Sequence, residues 1–284
     1  MRAVTKPGAL SESALDILAT DMGITRPWLE EVSFDLSYMM IRACSGVHVK
    51  VIGELLDMGV DPNWVRGGHG QGIPLCFVNL NGQADAARVR AAVDLLVKRG
   101  ADLHFIDESR EASPIFQGCA NPHLLEGLMA AGANIHLKTS RGTTILAWWL
   151  HTFSNPGGGG AGTAIGVLDK LLVVGVRKDE LVSQSPVWGA HLPKESLLSC
   201  MWQSAGLRPL LPEIIQRGFD PMQKGESGKT FLQLAGPTLL GDSSPWAKAT
   251  VAAMENNPAL IVGMAQARAD HAAKPARRRA RMRA

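Results

Sequence analysis

Cys119 and His123 stand four residues apart, a spacing that can place a thiol and an imidazole on one helical face as nucleophile and general base. Pro122 argues against that use: a proline starts a helix more readily than it continues one, so the two residues are expected to straddle a turn. His104 and His136 come next. Two histidines without a third ligand nearby make an incomplete zinc site, because zinc takes at least three protein ligands, and a structural hydrogen-bonding role suits them better. The stretch NPGGGGAGTAIG at 155–166 offers clustered amide donors of the kind that hold phosphate at a helix start. It lacks the Gly-Lys-Ser/Thr ending of a P-loop and follows no clear strand, so it reads as a flexible linker. Cys44, Cys76, Cys119 and Cys200 form no Cys-x-x-Cys pair and read as reduced, mostly buried thiols. No acid pair or nucleophile motif stands out elsewhere; the reading is of a protein that is not an enzyme and uses no metal or cofactor.

What positions these residues is a repeat. KRGADLHFID at 98–107 returns as AAGANIHLKT at 130–139. Gly59, Gly100, Gly132, Gly175 and Gly218 each close an apolar segment, and four of them are followed two residues later by Asp61, Asp102, Asn134 or Asp220. A glycine suits the residue just past a helix, which commonly takes the left-handed conformation. If a helix precedes each glycine, positions 8, 7, 4 and 3 residues upstream share one face and should be apolar. All twenty are, from Val51, Ile52, Leu55 and Leu56 to Leu210, Leu211, Ile214 and Ile215. A composition of 46% apolar residues gives roughly nine by chance, so five equivalent helices are expected. A second helix start is expected at each of Leu75, Ile115, Leu146, Leu198 and Leu232, with Ser113, Thr144, Ser196 and Thr230 two residues earlier as hydroxyl caps. Ile73 breaks the capping pattern, although Pro74 follows it.

With GADLH, GANIH, SRGTTILAWW and SGKTFLQLA the chain resembles the ankyrin repeat family over about residues 35–240. The resemblance implies an all-α solenoid of stacked antiparallel helix pairs joined by hairpin fingers, here five to six degenerate repeats, each burying its face against its neighbours. The family's His after the helix-start leucine, which ties neighbouring repeats together, is replaced by Cys76, Phe116, Ala147, Ser199 and Gln233. Measured against the family spacing, insertions fall at about 79–88, 152–163 and 176–195. Met39 takes the helix-start position of a degenerate first repeat. Residues 1–34 read as an N-terminal helical cap, 241–267 as a C-terminal capping helix, and 268–284 as a basic flexible tail.

The fingers are the expected working surface. Trp64-Val65, Phe105-Ile106 and Leu137-Lys138 follow three fingertips at equivalent positions and could form an apolar ladder for a partner; the same side chains could instead pack finger against finger. The long connection carrying Trp188 and His191 is a second recognition candidate. Net charge is +3 overall, yet residues 1–273 hold 23 basic against 26 acidic side chains. The excess lies in KPARRRARMRA, where Lys274, Arg277, Arg278, Arg279, Arg281 and Arg283 suit the phosphates of nucleic acid or an anionic surface. A merely solvated tail explains the same charges. No run of about 18 apolar residues and no secretory signal is evident, so a chain without a transmembrane segment is expected, in the cytoplasm or in a host-cell interior after non-classical export. The function expected is recognition of another protein, as adaptor, effector or neutralising partner, with tail-mediated polyanion binding as the alternative.

Overall fold

The computed structural model describes residues 10–25, 35–65, 72–108, 112–155, 160–183, 193–255, 260, 263–266 and 268–269. Among them the ordered elements are helices, with isolated antiparallel bridges at Asp107–Ala112, Val182–Glu195 and Lys224–Thr230 in place of strands. The chain divides into two compact units, residues 1–145 and 146–284.

The first unit opens with α1 (Glu12–Met22). Ser11 caps it by accepting from the Ala14 amide, and Ala14, Leu15, Leu18 and Ala19 are buried along one stripe. That stripe faces α2 (Leu36–Ser45) and α3 (Val49–Asp57). Polar contacts fix the placement: the Ser11 hydroxyl donates to Glu54 Oε1 at 2.6 Å, and Arg42 pairs with Asp21 at 2.9 Å. The inner element of the next repeat is a single 3-10 turn, Pro74–Phe77, followed by α4 (Ala86–Lys98). The third repeat pairs α5 (Pro114–Gln117), with its 3-10 continuation Gly118–Ala120, and α6 (Pro122–Ala130). The expected helix start at Leu75 therefore carries a single 3-10 turn, and that at Ile115 one α-turn with its 3-10 continuation, not full helices.

The second unit holds most of α7 (Ile145–Ser154), then α8 (Ala161–Val173), α9 (Leu197–Gln203), α10 (Leu211–Gln216), α11 (Phe231–Leu239) and α12 (Pro245–Glu255). Trp149, fully buried, ties α7 to α8 by donating from Nε1 to the Ala164 carbonyl at 2.8 Å. Arg217 grips Asp169 through two nitrogens, at 2.6 and 3.0 Å. These bonds hold the Asp169 carboxyl below the usual carboxylate range. Thr230 begins α11 with a reciprocal box: its hydroxyl accepts from the Gln233 amide, and Gln233 accepts from the Thr230 amide. Gln233 thus closes the first turn of α11. Beyond α12, Leu260 and Met264 are buried, and Gly263 lies so close to Leu232 and Met222 that a Cβ there would clash.

All five closing glycines have φ between 84° and 94°. At each, the glycine amide bonds back to the carbonyl three residues earlier and the next amide to the carbonyl five residues earlier, as with Gly59 to Leu56 and Val60 to Leu55 at 3.0 and 3.1 Å. Positions 8, 7 and 4 upstream are buried in every case. Position 3 is buried in the first and last of these helices but half-buried at Val97, Met129 and Leu172, so the apolar face is widest at the ends. The sequence insertions partly become helix: residues 152–154 extend α7 and 161–163 begin α8, while 156–159 of the glycine-rich stretch lie outside the described residues.

Repeat-to-repeat hydrogen bonding in the first unit uses asparagine. Asn79, buried with φ 58°, donates its own amide to the Cys44 carbonyl at 3.0 Å and accepts from the Ala84 amide through Oδ1 at 3.0 Å. Its carbonyl accepts from Asn121 Nδ2 at 2.7 Å, and Asn121 Oδ1 caps α6 at Leu124. Three repeats are joined through these two asparagines, the first link by the Asn79 backbone amide and the second by the Asn121 side chain. Arg88 adds a bond from α4 to the Val47 carbonyl at 3.0 Å.

Candidate partner-binding fingers

The three fingers of the first unit share one local design. The side chains of Asp61, Asp102 and Asn134 accept from the amides of Asn63, His104 and His136 at 2.8, 2.8 and 2.9 Å. The following amides, of Trp64, Phe105 and Leu137, turn back to the carbonyls of the same Asp or Asn. This local bonding is why an Asp or Asn recurs two residues after the glycine, and it sets Trp64, Phe105 and Leu137 at one repeated turn position. Asp220 makes the same turn with Met222 at 2.8 Å in the second unit. Arg177, where the fourth finger lacks the acid, instead pairs with Asp179 at 2.6 Å.

Side chains stitch each finger to the next. Asn63 donates to the Gly100 carbonyl and accepts from the Asp102 amide, both at 2.7 Å. His104 Nε2 accepts from the Asn134 amide at 3.3 Å, a bond that requires that nitrogen to be unprotonated. The Ser140 amide and hydroxyl both donate to Glu108 Oε2, at 3.0 and 2.6 Å, and these bonds hold the Glu108 carboxyl below its ordinary value. In the second unit Gln223, at the turn position of Trp64, reaches the Asp179 carbonyl at 2.6 Å. His104 is therefore a structural link between fingers. His136 is exposed, and among the described residues no group of three or more His, Cys, Asp or Glu side chains is arranged to hold a metal ion.

On this stitched frame Trp64, Phe105, Ile106 and Leu137 are half-buried, Val65 is 43% exposed, and Lys138 is exposed. These side chains are thus neither fully covered nor fully free. Trp188 and His191 lie outside the described residues, as do Lys274, Arg277, Arg278, Arg279, Arg281 and Arg283.

The cysteines are poorly placed for reaction. Burial pushes the Cys76 and Cys200 thiols up to about 12, and those of Cys44 and Cys119 higher still. Cys119 sits in the 118–120 turn with its sulfur 3.8 Å from the Ile145 carbonyl, whereas His123 is exposed in the first turn of α6. A thiolate is the reactive form of cysteine, and a fully buried thiol raised this far supplies almost none near neutral pH.

One surface went unread in the sequence. In the second unit Trp202 packs edge-on to Phe231, lies 6.3 Å from Trp246, and carries the Arg208 guanidinium over its ring at 4.8 Å. Both tryptophans are half-buried. The residues come from α9, α11, α12 and the 208–210 turn, and only a repeat register extended through α12 brings them together.

Stitched fingers on glycine-terminated helix pairs define an ankyrin-type repeat solenoid. The human ASB11 ankyrin repeat domain is similar in structure, at TM-score 0.53 and 22% identity, over 86% of this chain and 98% of that domain. An ankyrin repeat domain from Acinetobacter baumannii aligns at TM-score 0.48 and 15% identity, over 76% of this chain and 97% of its own. No protein-family model and no curated protein sequence matches the chain. The chain has the ankyrin repeat fold.

Proposed function

We propose that this chain is a non-catalytic scaffold that binds another protein through the finger face formed by Trp64, Val65, Phe105, Ile106, Leu137 and Lys138. The observation that carries this reading is the repetition of one finger geometry, bonded finger to finger, with an apolar side chain half-open to solvent at each equivalent turn. Rigid turns present that surface already ordered, so little conformational entropy is lost on binding. Half-exposed Trp and Phe supply large contact areas with few rotatable bonds. Adaptor, effector and neutralising roles all use such a surface. Val65 suits the test best, because its exposure separates binding from folding. Val65→Asp is expected to weaken a captured partner by about 1–2 kcal/mol, from lost apolar contact and a charge facing the interface, with melting nearly unchanged. Unchanged affinity would remove the finger face from the reading.

A second reading adds a polyanion to the protein partner. It is favoured by the six cations of residues 274–284, which no acid accompanies, set against a body with more acids than bases. Nucleic acid or an anionic membrane would then be held by charge and lost as salt rises.

A further inference from the structure

We draw no further inference here: the strongest candidate, the half-exposed aromatic patch that Trp202 and Trp246 make with Arg208 on the helices 197–203 and 245–255, is an apolar face for which nothing in the structure shows what covers it.

Discussion

Replacing Asn79 with alanine tests the asparagine link between repeats. The native side chain accepts from the buried Ala84 amide at 3.0 Å, touches Asn121 Oδ1 from Nδ2 at 3.3 Å, and sits on a backbone with φ 58°. Alanine leaves the Ala84 amide without its acceptor, at about 1–3 kcal/mol. It also meets the left-handed backbone without a polar side chain to offset the steric cost, adding about 1 kcal/mol. The Asn121 bond to the Asn79 carbonyl can persist, so the sum is about 2–4 kcal/mol. Asn79→Gly separates the terms: it relieves the backbone but adds freedom to the unfolded chain, and should land about 0.5 kcal/mol or so above the alanine variant. Asn79→Asp keeps an acceptor for Ala84 but buries a carboxylate and turns an oxygen toward Asn121 Oδ1, so it should lose at least as much as alanine. Urea unfolding followed by circular dichroism gives the ranking, and hydrogen exchange at the Ala84 and Leu124 amides shows where protection is lost. An alanine variant within about 0.5 kcal/mol of the parent, or glycine clearly worse than alanine, would refute the reasoning.

Leu171, fully buried in α8, should lose about 4 kcal/mol or more on replacement by Asp, because an unpaired carboxylate enters the apolar face; a loss under about 1 kcal/mol in urea unfolding would contradict the repeat register. Burial holds the His151 imidazole below its ordinary 6.5, so the unfolded chain takes up a proton first as pH falls. The stability contributed by the neutral imidazole is then complete above 6.5 and declines as pH drops below it, and His151→Gln should flatten that slope in melting measured against pH. Deleting residues 274–284 should leave melting unchanged and abolish retention on DNA. With about five phosphate contacts the log–log salt slope of the parent's binding is about −4 to −5, and a slope near zero would exclude the tail as the contact.

The outer helices were legible because two independent marks agree on them: a glycine that must end a helix and an apolar face at fixed distances before it. Val51, Leu96, Leu128, Leu168 and Ile214 are buried where that register puts them. The Asp and Asn after each glycine were visible as a pattern, and the turn bonds to Asn63, His104, His136 and Met222 are its physical cause. Less legible was the shortening of the inner helices that start at Pro74 and Pro114. There Asn79 adopts a positive φ, and Gly118 lets Leu125 approach so closely that a Cβ would stand 2.9 Å from its Cα. Neither feature follows the apolar period. Asn79 and Asn121 are 42 residues apart, so no local pattern marked them as partners. For the finger residues, sequence supplied equivalence but not exposure: how far Trp64 is covered depends on tertiary packing that has no sequence period, and it is half-buried.

The central claim, that the finger face binds a protein, is tested most directly by affinity capture from the source cells with the parent and the Trp64→Ala/Val65→Asp double variant side by side. Quantitative mass spectrometry reads the captured proteins, and circular dichroism confirms that both baits are folded at the capture temperature. A partner enriched on the parent and depleted at least about tenfold on the folded variant, equivalent to about 1.4 kcal/mol, is the expected result. Equal recovery of the same partner by both baits would contradict the claim.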